Sequence, residues 1–372
     1  MTKNILITGG AGFIGSHLTD ELLNHGYNIR ILDNLSDQVH GTDHGRPAYL
    51  SSDAEFFQAD IREPKAVVEA LKGIDAVYHF AAAVGVGQSM YQIEKYTSTN
   101  NIGTAVLLEA LIKNPVEKLV VASSMSIYGE GLYRDPNGEC RAGTERNLEQ
   151  LKRHEWEVCD AAGRAMTPIP TNESKAPSLA SVYALSKYDQ ERMCMMVGRA
   201  YSIATTALRF FNVYGTRQAL SNPYTGVMAI FASRLLNNKP PLIFEDGEQR
   251  RDFVSVYDVA KACRLALETP EAAGEVFNVG SGQNYTISEL AERLCSVMGK
   301  EEIEPEITEK YRTGDIRHCF ADISRAREIL EFEPSVSLEE GLTELTEWLE
   351  GQVAVDSVEK AGAELAERGL TV

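Results

Sequence analysis

Short apolar-rich runs and longer amphipathic stretches alternate through the first two-thirds of the chain. "NILIT" (4–8), "NIRILD" (28–33), "EFFQAD" (55–60), "AVYHFA" (76–81), "KLVVASS" (118–124) and "TTALRFF" (205–211) carry the composition of strands buried on both faces. Between them, "FIGSHLTDELLNHG" (13–26), "EPKAVVEALKG" (63–73), "IGTAVLLEALIKN" (102–114) and "SVYALSKYDQERMCMMVGRAY" (181–201) repeat apolar residues at helical spacing. Such alternation predicts right-handed βαβ crossovers, hence an α/β doubly wound parallel sheet of Rossmann type.

Two regions break the rhythm. Residues 130–178 are long, polar and punctuated by Pro and Gly, with a short helix expected within "TERNLEQLKRHEWEVCDAAG" (144–163). This reads as an insertion on the scaffold, and such inserts cover sites or remodel partner surfaces. Beyond about residue 216, helices mix with short strands, as in "PLIFEDGEQRRDFVSVYDVAKACRLALE" and "GEVFNVGSGQNYTISELAERLCSVMG". The expected division is therefore a cofactor unit over 1–215, regaining later segments around 251–268. A smaller interleaved C-terminal α/β lobe over 216–335 follows, then a helical extension over 336–372. From Ser337 onward the pattern is that of an amphipathic, peripheral helix.

Composition changes this picture little. The 372 residues are 44% hydrophobic and 24% charged, ordinary for a soluble globular chain. A net charge of −18 argues against nucleic acid or an anionic membrane as partner. "MTKNILITGG" lacks a signal-peptide pattern, and no stretch reaches a membrane-spanning length. Six scattered cysteines without a CxxC pair read as thiols in a reducing compartment, so a cytoplasmic protein without a bound metal is expected.

Candidate chemistry begins with "ILITGGAGFIGSH", where Gly9, Gly12 and Gly15 lie between the first strand and a helix opened by Phe13 and Ile14. Glycines let the backbone approach a pyrophosphate, and the helix N-terminus supplies N–H groups and partial positive charge. Asp33, at the end of the second strand, suits the adenosine ribose hydroxyls and would repel a 2′-phosphate, favouring NAD over NADP. Asn34 follows it. Asp60 ends the third strand before Ile61, and reads equally as a neighbour of the adenine or as a helix N-cap. Ala81, ending the fourth strand run, and Ala82 after it are further cofactor-binding candidates, as are Phe13, Ile14, Asn34 and Ile61. Further on, "SVYALSKYDQ" sets Tyr183 and Lys187 four apart, on one helix face. An ammonium beside a phenol favours the phenolate, so the tyrosine can act as a base near neutrality. Ser124, ending the fifth strand, falls at the same carboxyl edge of the sheet.

Together, "TGGAGFIGSH", "SSMSIYG", "YALSK" and "RFFNVYG" resemble the extended short-chain dehydrogenase/reductase superfamily, specifically its nucleotide-sugar epimerases and dehydratases. The resemblance runs in order to about residue 335. It implies Ser124, Tyr183 and Lys187 as a catalytic trio, NAD as cofactor, and Asn100 of "TNNIGT" as a supporting residue of the site. It also implies a nucleotide-diphosphate sugar as substrate, held by Asn212 of "RFFNVYG" and Arg251 of "GEQRRDFVSV". In "YRTGDIRHCFAD", which resembles the family's "RPGD" stretch with Thr313 in place of proline, it points to Arg312 and Asp315. Family members commonly form homodimers through the two helices containing "IGTAVLLEALI" and "YALSKYDQERM", and a homodimer is expected here.

After Ser124 the related dehydratases and decarboxylases carry one or two carboxylates, whereas this chain has Met125 and Ser126. Elimination of water needs an acid–base pair that neither supplies. The related 3,5-epimerases carry a cysteine where Ser126 lies, so Ser126 is retained as a catalytic candidate by position alone. Oxidation at carbon 4 and its reversal, a 4-epimerisation, needs no such group. The insertion before "YALSK" resembles inserts in a subgroup of bacterial epimerases that includes dTDP-L-rhamnose 4-epimerases, which implies dTDP-L-rhamnose or a related dTDP- or UDP-hexose. A ketoreductase, dehydrogenase or dehydratase with the same trio, and a non-catalytic NAD-binding protein, are the alternatives.

Overall fold

The computed structural model describes residues 3–42, 44–220, 226–312, 314–350, 352, 364 and 366–371. Seven strands form the main sheet: β1 Asn4–Thr8, β2 Asn28–Asp33, β3 Glu55–Gln58, β4 Ala76–His79, β5 Lys118–Ser124, β6 Ala204–Phe210 and β7 Val276–Val279. Their spatial order is β7-β6-β5-β4-β1-β2-β3, and every pairing is parallel. The reversal of direction between β1 and β4 is the switch point beside which ligands bind in such sheets.

The longer helices are α1 Phe13–Asn24, α2 Pro64–Ala70, α3 Gly103–Lys113, α4 Val182–Tyr201, α5 Val227–Leu236, α6 Val256–Glu268, α7 Ile287–Val297, α8 Ser324–Leu330 and α9 Leu338–Leu349. The period-2 alternation of strand side chains sorts the core into two layers. Ile5 and Ile7 of β1 face Leu18 and Leu22 of α1 together with Val259, Ala262 and Ala266 of α6. Leu6, on the opposite face, packs with Val67 of α2 and with Leu107 and Leu111 of α3. Burying a Leu or Ile side chain contributes roughly 1.5–3 kcal/mol, which is why both faces are covered.

Three features depart from the expected pattern. Residues 276–279 join the main sheet as β7 beside β6, because "VFNV" is buried on both sides there. The insertion is built on a three-stranded antiparallel sheet, Leu132–Arg134 between Cys140–Ala142 and Thr167–Ile169. Its helix is confined to Leu148–Lys152, capped by the Asn147 side chain at one end and closed by His154 in the left-handed conformation (φ 56°) at the other. Finally, α9 is amphipathic but not peripheral. Its Leu338, Leu342, Leu345 and Leu349 are buried with α5 and α7, and a Cβ on Gly341 would stand 2.1 Å from the Tyr214 hydroxyl oxygen. Most of the chain beyond Glu350, like Thr313, lies outside the described residues.

Candidate active site

The glycine turn is built to close contact. Gly9 takes a positive φ of 71°, and a Cβ there would lie 2.8 Å from the backbone N of Ala81. One on Gly15 would lie 2.4 Å from the Gly9 carbonyl oxygen, so any side chain would open the turn. No side chain caps α1 at Gly12, which leaves the N–H groups of the Phe13–Ile14 turn to an anion. Asp33 accepts the Ala11 N–H (3.0 Å) and the Leu35 N–H (2.9 Å), fixing its carboxylate beside this turn. Tyr49 donates its hydroxyl to the Ala11 carbonyl (2.7 Å), a contact that its position in an irregular loop does not announce. These features fit a dinucleotide.

Asn34 donates to Asp60 (3.0 Å), so the structure brings these two candidates together. Arg62 grips the same carboxylate through two 2.8 Å bonds and holds it down at about 2. The N-cap of α2 is Glu63, so Asp60 does not cap the helix. Ile61 is buried against α3, where a Cβ on Gly103 would meet it at 2.6 Å.

At the carboxyl edge of β5, the Ser124 hydroxyl accepts the Ser126 N–H (3.2 Å) and stands near enough to the Tyr183 phenol to favour its phenolate. Ser181 caps α4 through the Ala184 N–H, and Ser89 accepts the Tyr183 N–H at 3.0 Å, fixing where the phenol emerges. Burial pushes the Tyr183 hydroxyl above its ordinary range, with the nearby Ser124 hydroxyl opposing. Lys187 is buried one turn on, and burial lowers its ammonium to about 8. It donates to the Gln190 side-chain oxygen (2.8 Å). Met125 packs in an apolar cluster with Ile127, Tyr128 and Phe211, while Ser126 is half-buried in a 3-10 turn.

Asn100 sits in a π-helical segment, Thr97–Ile102, a rare geometry often found at functional sites. It is fully buried, accepting the Ala83 N–H (2.7 Å) and donating to the Ala83 carbonyl (3.1 Å) and the Ser186 hydroxyl (2.8 Å). It thereby ties the loop that begins at Ala81 and Ala82 to α4. The same helix is anchored behind the site by Glu191, which takes Arg209 through bonds of 2.7 and 2.9 Å and the Ser123 hydroxyl at 2.6 Å.

The substrate candidates lie across the sheet edge. Asn212, in a short strand parallel to Phe253–Ser255, spends its amide N–H on the Asp252 carbonyl (3.0 Å). Arg251 is committed to the main chain, donating to the carbonyls of Arg250 and Arg317 at 3.0 and 2.9 Å and also to Ile316. Arg312 lies over the Phe244 ring, 4.4 Å from its centre, with a buried Nε that has no partner, the kind of donor an anionic group satisfies. The Asp315 N–H closes a turn on the Arg312 carbonyl (3.2 Å). Asp315 also joins Gly129, Glu130, Ile316 and residues 178–180 in lining a cleft between the turn after Ser124 and this segment.

The insertion docks on the same segment. Glu130 accepts the N–H groups of Arg317 (2.6 Å) and His318 (3.2 Å). Arg146 meets Glu245 at 2.8 Å, and Arg317 meets Glu245, Asp246 and Glu157 at 3.1, 2.6 and 2.6 Å. This ionic cluster, buried at Arg146, Arg317, Glu130 and Glu245 and partly exposed at Glu157 and Asp246, was not foreseen, because its members come from three distant stretches with no shared spacing.

The description "NAD dependent epimerase/dehydratase family" belongs to the family model that matches residues 5–153 and 158–280. The dTDP-L-rhamnose 4-epimerase of Burkholderia thailandensis is 35% identical over 356 residues, covering 93% of this chain and 95% of that one. Among solved structures, UDP-glucose 4-epimerase of Thermotoga maritima with UDP-glucose superposes with a TM-score of 0.76 at 34% identity, covering 93% and 98% of the two chains. UDP-glucuronic acid 4-epimerase of Bacillus cereus with UDP-glucuronic acid and NAD gives 0.76 at 28% identity, covering 93% and 99%.

Proposed function

The chain belongs to the NAD dependent epimerase/dehydratase family and is an NAD-dependent enzyme, and from that premise we propose that it is a nucleotide-sugar 4-epimerase acting on dTDP-L-rhamnose or a related dTDP- or UDP-hexose. One observation carries the reading against the family's other reactions. The Ser124–Tyr183 pair stands at the sheet edge with buried Met125 and the neutral hydroxyl of Ser126 beside it, where elimination would need a carboxylic acid.

In this reading Tyr183 takes the proton of the sugar 4-hydroxyl and Ser124 orients that hydroxyl. NAD, when bound, supplies a reversible hydride acceptor for carbon 4. The glycine turn with Phe13 and Ile14 holds the pyrophosphate, and Asp33, Asn34, Asp60 and Ile61 hold the adenosine end. Ala81, Ala82 and Asn100 form the wall towards α4. Lys187 supplies positive charge one helical turn from Tyr183, opposing the effect of burial on the phenol. Asn212, Arg251 and Arg312 hold the diphosphate, and Asp315 the nucleotide ribose.

Residues 1–215 then carry the cofactor unit, 216–335 mainly the substrate lobe and 336–372 the extension. A homodimer through α3 and α4 is supported by exposed Ile102, Leu185 and Met196. No helix among the described residues is long and apolar enough to cross a membrane, and the six free cysteines support a cytoplasmic location.

The test is incubation of the purified protein, without added cofactor, with separate dTDP-, UDP-, GDP- and CDP-sugars, followed by NMR. Appearance of the 4-epimer supports the proposal, and the productive nucleotide identifies the substrate class. A 4-keto product, loss of water or turnover only with added NADPH overturns it.

A further inference from the structure

Behind Lys187 lies a closed set of neutral hydrogen bonds whose direction follows from counting donors and acceptors. The Thr104 hydroxyl donates to the Asn100 carbonyl (2.5 Å). Its oxygen can then only accept from its other two neighbours, His79 Nε2 (2.8 Å) and Gln190 Nε2 (2.9 Å). His79 therefore carries its proton on Nε2, and Nδ1 accepts the Thr8 hydroxyl at 2.9 Å. Thr8 Oγ1 in turn accepts the N–H groups of Phe80 and Ala81, both at 3.2 Å, which completes its valence. The second Gln190 N–H faces the Ala81 carbonyl at 3.4 Å. All four side chains are fully buried, and burial, followed by repulsion from Lys187, holds His79 neutral by lowering it to about 3.

This arrangement favours one orientation of the Gln190 amide. Rotating it would bring its oxygen within reach of the His79 Nε2–H, but would also turn it towards Thr104 Oγ1, whose proton is already spent, and towards the Ala81 carbonyl, and would press its N–H groups against the ammonium. We infer that Gln190 is a positioning residue, held by Thr104, which Asn100 and His79 orient, so that its oxygen keeps Lys187 a charged donor aimed from α4. The ammonium has three N–H groups, and Gln190 occupies one of them. Other titratable groups around Lys187 are Cys194 and Glu191 on its own helix, Tyr183 one turn earlier and His79 on β4. Glu191 is itself neutralised by Arg209 of β6. The nearest acceptor of the ammonium is thus uncharged, which leaves the lysine able to titrate close to neutrality, unlike a lysine paired with a carboxylate.

The inference rests on the proposed epimerase chemistry only for its rate measurement, so the experiment has an independent arm. Lysine labelled with ¹³C at Cε is followed by NMR across pH in the full-length protein, with the Lys187 signal assigned by its loss in Lys187→Arg. Gln190→Glu should raise the Lys187 transition by about one unit or more, because a carboxylate favours the ammonium. Gln190→Met, which has no oxygen to offer, should lower it, and Thr104→Val, which frees the amide to rotate, should lower it as well. The alkaline limb of kcat should move with each variant in the same direction. Transitions that stay at the parent position, or that move the same way in Gln190→Glu and Gln190→Met, overturn the inference. Shifts in the NMR arm from a protein that epimerises no sugar would support the positioning role while sinking the epimerase reading.

Discussion

Lys187 is buried beside an uncharged amide, with a neutral histidine and two hydroxyls behind it. At the junction of insertion and substrate lobe, Arg146 and Arg317 are just as buried but are met by Glu130, Glu157, Glu245 and Asp246. The consequences run in opposite directions. Burial against neutral partners brings Lys187 down to about 8, within reach of physiological pH. At the junction, burial works to raise Glu157, but bonds from His318 and Arg317 prevail and hold it at about 2, so its charge stays on at any pH where a cell operates. A buried charge with dipolar partners remains available for chemistry, whereas one with opposite charges serves as a fastener.

The largest expected effect separates the two regions outright. Tyr183→Phe should cut turnover by about 10²–10⁴-fold, the usual loss when a positioned base is removed, while leaving NAD retained and the urea midpoint unchanged. Loss of NAD along with activity would break the assignment of the site.

Arg317→Met attacks the fastener instead. Its removal takes the guanidinium from Asp246 and Glu157 and leaves Glu245 to Arg146 alone, and the lost charge-assisted bonds should cost about 1.5–3 kcal/mol in urea unfolding. A change below about 1 kcal/mol would mean that the carboxylates find other partners.

Acid sharpens the contrast. Glu157 binds its proton near 2 when folded and near 4.5 when unfolded, so between these values the unfolded chain holds the extra proton. Its contribution to stability is complete above about 4.5 and is lost as pH falls towards 2. Lys187 stays protonated in both states over that window and adds no slope. The urea midpoint followed by Trp156 fluorescence, in a Trp348→Phe background, should therefore fall between pH 5 and pH 3 in the parent, and fall less in Glu157→Gln. An equal fall in both proteins would remove Glu157 from the account.

Smallest is Ser181→Ala, which deletes the N-cap of α4 and should cost about 1 kcal/mol. Because the cap sets the entry of the helix carrying Tyr183, kcat should drop modestly as well. Unchanged kcat with the stability loss would show that Ser89 alone fixes the phenol.

What could be read directly from the residues was local. The glycine turn, the strand ends at Asp33 and Ser124, and the four-residue step from Tyr183 to Lys187 each depend on neighbours within a few positions, and periodicity reveals such features. The network around Gln190 draws on β1, β4, α3 and α4, and no spacing rule joins Thr8 to His79 or Thr104. Gln190 did carry one signal, its place three residues after Lys187 on the same helix face. Asn100 was named from a motif, but its π-helical setting could not be, since that depends on a locally widened turn. Arg251 was expected to hold the diphosphate, and three of its five N–H donors also reach main-chain carbonyls that converge on it from two distant stretches, which no local pattern announces. α9 looked like an outer helix because its polar face is continuous. Gly341, the small residue that admits Tyr214, was the clue that it packs inward.

The pairing of α1 with α6 also bears on how the molecule is made. The apolar face of Leu18 and Leu22 is completed by Val259, Ala262 and Ala266, supplied some 240 residues later, and β7 completes the sheet later still. At about 5–20 residues per second, a ribosome leaves the first helix without its cover for on the order of tens of seconds. The nascent cofactor turn must wait through that interval with its hydrophobic side open. A chain cut after residue 215 would stay in that condition permanently, prone to association with its own copies rather than to folding as a small binding domain.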